Sequence, residues 1–168
     1  MAIDLKDQYF GTEIELTGIT REQAANAVAE MFGTRAYYIG SYYQTWGVKD
    51  NEGKEWKFTY DSSISAQMRS SRGYIYAGDE YCTEMVSPKL EYSEMNKLQK
   101  VVRCLRHRGG KVNPSCGMHV HVDASNHTPR SLKNALTIMY SKEDILFKAL
   151  KVNPDRVERW CKKVRENV

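Results

Sequence analysis

Between Phe10 and Leu16 the chain alternates, with Phe10, Thr12, Ile14 and Leu16 on one side and Glu13 and Glu15 on the other. A period of two predicts a half-buried strand. Thr20 then offers an N-cap, and Gln23, three residues on, completes a capping-box pattern. Ala24, Ala25, Val28, Met31 and Phe32 recur at helical spacing, and Gly33 is a fitting stop. A strand followed by a helix is the expectation for the first third of the chain.

From 35 to 86 the pattern turns β-like. Tyr37, Tyr38, Tyr42, Tyr43 and Trp46 are aromatic strand formers. The stretch 50–53 (Asp-Asn-Glu-Gly) reads as a turn, and beyond it Trp56, Phe58 and Tyr60 alternate with Lys57, Thr59 and Asp61, which predicts a hairpin. The Ser-rich stretch 62–73, with Arg69 and Arg72, reads as a loop, and 74–76 and 81–86 as short strands closed by Ser87 and Pro88. Ser93 is the expected cap of a second helix whose buried stripe is Leu98, Val101, Val102 and Leu105. Gly109 and Gly110 end it.

Met118, Val120 and Val122 alternate with His119, His121 and Asp123, another strand pattern. Thr128 followed by Pro129 starts a third helix carrying Leu132, Ala135, Leu136, Met139, Ile145, Leu146 and Leu150. Asn153 and Pro154 start a last one with Val157, Trp160, Cys161 and Val164. No repeat or low-complexity tract interrupts this order. Mixed helices, strands and hairpins predict an α+β class with a mostly antiparallel sheet, in one domain over 1–168.

Composition narrows the class. At 168 residues, with 41% hydrophobic and 27% charged positions, the chain is long enough for its own core and is ordinary in usage. A mean hydropathy of −0.62 and the lack of any 18-residue apolar run argue against a membrane span. The first ten residues do not follow a secretory pattern, and the four cysteines (82, 104, 116, 161) show no paired spacing, so a reduced, cytoplasmic setting is the expectation. Net charge is +4, but residues 1–60 hold six Lys/Arg against nine Asp/Glu, and residues 61–168 hold nineteen against twelve.

Four groups could carry chemistry. Glu13 and Glu15, two apart on a strand, share one face roughly 7 Å apart. On a solvated face they would simply be hydrated; inside a sheet their repulsion calls for a divalent cation, and carboxylates suit Mg²⁺ or Mn²⁺. His119, His121 and Asp123 line one face of one strand in a chain with four histidines. Cys116 and His119 lack the further Cys–His partners a zinc site needs. Glu84 is a carboxylate in an apolar strand pattern, where a charge requires a partner or a metal. Together Glu13, Glu15, Glu84 and His119 make a hard-cation set. The fourth group is basic: Lys97, Lys100, Arg103, Arg106, Arg108 and Lys111, a solvated helix face or a phosphate-binding one. No Walker A motif, glycine-rich dinucleotide fingerprint or helix-turn-helix signature accompanies it, so nucleic acid is the least supported partner.

The segments FGTEIEL, EWKFTYDSSI, EMVSPKL and CGMHVHVD, in this order, resemble the amidoligase family over roughly residues 8–165. That family is a branch of the carboxylate–amine ligases with a glutamine-synthetase-like catalytic fold. The resemblance implies that Glu13, Glu15, Glu84 and His119 bind metal, that His121 lies near nucleotide phosphate, and that Asp61 belongs to the site in a less defined role. Arg69 and Arg72 are expected to meet phosphate or a substrate carboxylate. The implied reaction is amide formation from ATP, a small-molecule or peptide carboxylate and an amine, through an acyl phosphate, with Mg²⁺ or Mn²⁺ as cofactor. The family carries a further strand with a Glu/Arg motif after its last helix; the sequence to Val168 shows none. The expectation is therefore the N-terminal and central part of the fold, with an open sheet edge able to pair with a second copy. A member that binds or assembles without catalysis is the alternative.

Overall fold

A computed structural model describes residues 4–164, which fall into two compact units, one up to Asp123 and one from Ala124 on. The first unit is built on a six-stranded sheet. Its strands are β1 (Phe10–Leu16), β2 (Ala36–Gly40), β3 (Thr45–Lys49), β4 (Glu55–Thr59), β7 (Thr83–Val86) and β8 (Met118–Val122), in the order β2-β3-β4-β7-β1-β8. Every neighbouring pair is antiparallel, so the class is α+β as the pattern predicts.

Helices α1 (Arg21–Phe32) and α2 (Met95–His107) pack against one face. The alternation in each strand decides which face. Leu16, Val48, Trp56, Phe58 and Met85 point toward the helices and are buried there against Ala24, Ala25, Val28, Leu98, Val101 and Leu105. α1 begins and ends as its sequence dictates. Thr20 and Gln23 form a reciprocal capping box, and Gly33 closes the helix at φ 68°.

The opposite face of the sheet carries the polar residues of the same strands. A small second sheet, β5 (Gln67–Ser70) with β6 (Gly73–Tyr76), attaches beyond the end of β1, where Gly18 bridges Met68. Ile64, Ala66 and Cys82 form a second apolar cluster.

Four expectations change here. The stretch read as a loop through Arg72 contains β5, with Arg69 in the strand and Arg72 in the β5–β6 turn. The strand forms because Thr17 Oγ1 accepts from Gln67 N at 2.7 Å and donates to Gln67 O at 3.0 Å, while Gly18 N donates to that same carbonyl. Tyr81 lies in a 3₁₀ turn and the strand starts at Thr83. Ser93 does not cap α2; Glu91 and Glu94 form the reciprocal cap of the 3₁₀ turn that leads into it. Val102 is 38% exposed, outside the buried stripe.

The second unit contains α3 (Pro129–Ala149), capped by Thr128 with Ser131, and α4 (Pro154–Arg159), capped by Asn153. Trp160, Cys161 and Val164 lie beyond α4 rather than within it. The segment after α4 returns to α3, where Val164 N donates to the buried Glu143 carboxylate at 2.9 Å and Lys163 pairs with Asp144. The expected end of the chain without a further strand, residues 165–168, lies outside the described residues, as do residues 1–3. No described helix is long and apolar enough to cross a membrane.

Candidate metal centre

The register of β1 places three acidic or basic rows side by side. Glu15 faces Glu84 of β7, which in turn faces Thr59 of β4. Thr59 Oγ1 lies 3.0 Å from Thr45 Oγ1 of β3, so hydroxyls continue the row. Glu13 faces His119 of β8, and Gly11 faces His121. All these positions share the face away from the helices: Glu13, Glu15, Glu84 and Thr59 each sit one residue from a core position, and the β8 histidines follow because directly paired residues of neighbouring strands point to the same side.

Contacts run diagonally rather than straight across. His119 Nε2 lies 3.3 Å from Glu15 Oε1, and His121 Nε2 lies 3.3 Å from Glu13 Oε1. Gly117 N donates to Glu15 Oε2 at 2.7 Å, which fixes the orientation of a carboxylate only 3% exposed. A main-chain donor and an imidazole reduce the cost of burying that charge.

A third carboxylate arrives from a loop. Asp61 follows β4 by two residues, and its Oδ1 accepts from Ser63 N at 2.7 Å. Ligand atoms of Glu15, Asp61 and Glu84 all lie within 4.8 Å of one another, the one such grouping among the described residues. The loop is held by the 113–117 segment, through Ser65 N to Ser115 Oγ at 2.9 Å and Asn113 Nδ2 to Ser65 O at 2.8 Å. Burial, followed by the charges of Glu13, Asp61 and Glu15, pushes the Glu84 carboxyl up to about 7; His119 acts the other way. Crowded carboxylate oxygens of this kind are hard donors of the type Mg²⁺ and Mn²⁺ take.

The sequence-derived set thus divides. Glu15 and Glu84 meet at the centre with Asp61, which the family resemblance places in the site in a less defined role. His119 touches Glu15, and Glu13 with His121 forms a separate pair beside them. Glu13 and His121 also line a cleft of about 440 Å³ with Tyr9, Ser87, Lys89 and Asp123. Arg69 lines a different cavity, with Gln23, Asn26 and Glu30 of α1. None of the candidate carboxylates lines that cavity. In the basic run, Lys97 bonds Asp50 and Glu94, each at 3.0 Å, and Arg108 pairs with Glu30, so both cations are engaged within the fold.

Fold and site together describe an α+β protein with a cluster of carboxylates on the face of an antiparallel sheet away from its helices. A family model described as "Putative amidoligase enzyme" matches residues 6–168, and the chain belongs to that family, with its ligase-type function. No curated protein and no solved structure matches the chain.

Proposed function

We propose that the chain provides the catalytic sheet of an ATP-dependent carboxylate–amine ligase with a glutamine-synthetase-like fold. In this reading it joins a small-molecule or peptide carboxylate to an amine through an acyl phosphate. The observation that carries the reading is the convergence of Glu15, Asp61 and Glu84 beside His119, within a chain of the amidoligase family.

The donor set fits a divalent cation. Three carboxylates within 4.8 Å repel one another, and burial together with the charges of Glu13, Asp61 and Glu15 raises the Glu84 carboxyl. Glu15, Glu84 and Asp61 would hold Mg²⁺ or Mn²⁺, with His119 adjoining. When bound, such an ion neutralises charge on the phosphoryl oxygens of ATP. Gly117 N–H holds Glu15 in one orientation, which would preset the carboxylate for an ion. Glu13 and His121 border the adjoining cleft, where His121 is placed to donate to a phosphate and Glu13 to hold a second cationic group.

Calorimetry of ATP binding with and without Mg²⁺ tests this reading. The expected result is ATP binding that depends on Mg²⁺ and is lost in Glu15→Gln and Glu84→Gln. Folded protein without Mg²⁺-dependent ATP binding overturns it.

A further inference from the structure

The cleft beside Glu13 contains a seat that the carboxylate centre does not use. Lys89 Nζ lies 3.8 Å from the centroid of the Tyr9 ring and 3.8 Å from Asp123 Oδ2. An aromatic face together with a carboxylate is the combination that recognises an alkylammonium group. Here the group is supplied by the chain itself.

The seat and its occupant differ in how firmly they are held. The walls are tied by main-chain bonds: Phe10 N to Leu90 O at 2.9 Å, Leu90 N to Phe10 O at 2.8 Å, and Asp123 N to Tyr9 O at 2.9 Å. Gln8 Nε2 adds a bond to Asp123 O at 3.0 Å. The Lys89 side chain, by contrast, is 65% exposed, whereas that of Asp123 is 26% exposed. The ammonium can therefore leave for water while the walls stay in place, which is the arrangement a competing ligand needs. The same cleft offers Glu13 as a second carboxylate and Val86, Pro88 and Val122 as apolar lining for an alkyl stem. Its volume of about 440 Å³ falls in the usual range for small-molecule sites.

We propose that this cleft seats the amine partner of the ligation as a primary alkylammonium, of the kind found at the end of a lysine-like side chain or a diamine. Lys89 is its internal stand-in. The word partner rests on the ligase reading; the ammonium seat rests on Tyr9, Asp123 and Glu13 alone.

The test is calorimetry of the full chain with 1,5-diaminopentane, in the absence of ATP and Mg²⁺. Lys89→Met removes the internal competitor and is expected to tighten binding by about five-fold. In that background Tyr9→Leu, which leaves the charge unchanged, is expected to weaken binding by about five-fold, and Asp123→Asn by about ten-fold or more. Circular dichroism verifies that each variant is folded. Unchanged or weaker diamine binding in Lys89→Met overturns the proposal, as does Lys89→Met losing affinity for inorganic phosphate, which makes Lys89 an anion ligand instead. Mg²⁺–ATP titration of the same Lys89→Met protein separates the two readings. Diamine bound without ATP binding removes the ligase reading alone, and ATP bound without diamine removes the seat alone.

Discussion

Glu84 stands directly opposite Glu15 across the β1–β7 ladder, two carboxylates on neighbouring strands of one sheet face. Like charges so placed destabilise a sheet unless one is protonated or a cation lies between them.

Stability of the metal-free protein should therefore depend on pH through Glu84. Its carboxyl is raised to about 7 in the folded state from an ordinary 4.5, so the folded state binds more protons than the unfolded one between those values. The contribution of this group to stability is present below about 4.5 and is lost as pH rises toward 7. Urea denaturation in chelator at pH 5 and pH 8 should show a loss on the order of 1–3 kcal/mol from this source. Glu84→Gln should flatten the difference, and added Mg²⁺ should restore stability at pH 8 in the wild type only.

Asp61→Asn should separate metal binding from folding. Asp61 lies in a loop and faces solvent in part, so Asp61→Asn should change stability by no more than about 0.5 kcal/mol. Mg²⁺ affinity should fall at least about ten-fold, because a carboxylate becomes a neutral amide in a hard-donor set. Thermal melts and Mg²⁺ titration on the same protein measure both. Equal Mg²⁺ affinity would place the ion elsewhere.

A second ionic group gives the opposite pH behaviour. Lys97 bonds Asp50 and Glu94 at 3.0 Å each, and Lys54 bonds Glu94 at 2.5 Å. These bonds outweigh burial, the largest single influence on Glu94, and hold its carboxyl at about 2. Its contribution is complete above the ordinary value of 4.5 and is lost as pH falls toward 2. Lys97→Met leaves the Asp50 carboxylate, 1% exposed, without its ammonium partner and should cost about 3 kcal/mol. Chemical denaturation at pH 7 and pH 3 should show most of that cost at pH 7.

Two glycines should respond differently to alanine. Gly18 has φ +89°, and an added Cβ would lie 2.5 Å from Gly109 O, where main chain meets main chain. Gly53, at φ +81° in the β3–β4 turn, has nothing within 4 Å. Gly53→Ala should cost about 1 kcal/mol from backbone strain alone, and Gly18→Ala clearly more. Equal midpoints in urea would contradict the close approach at Gly18.

The elements legible in the sequence are those that bury one face and carry their own terminators. β1, α1 and the β3–β4 hairpin are of this kind, with Thr20, Gly33 and the turn at 50–53 as punctuation. β5 is not: the residues 67–70 are mostly polar, and the strand is held by the Thr17 hydroxyl and a hairpin partner rather than by a hydrophobic period. The site divides on the same physical ground. Glu13, Glu15, His119 and His121 are visible because strand alternation assigns them a common face. Asp61 is marked only by the EWKFTYDSSI resemblance; its loop is held by hydrogen bonds of Ser65 with residues 48 and 50 positions away, which no strand period encodes. Arg69 reads from the sequence as part of a loop, whereas it lies in β5 and lines a cavity beside α1.

β8 raises a question of information rather than of contacts. Its histidines repeat at the period of the strand itself, so sliding β8 by two residues would again set an imidazole opposite Glu13 and keep every apolar residue on its face. The histidines are therefore degenerate with respect to register and cannot select it. Selection falls to the ends, where Glu15 N bonds Gly117 O at 3.0 Å, Gly117 N returns a bond to the Glu15 carboxylate, and Asp123 N bonds Tyr9 O. Gly117 and Asp123 act as the two end stops of a sliding scale, and the length of chain between them sets which histidine serves which glutamate.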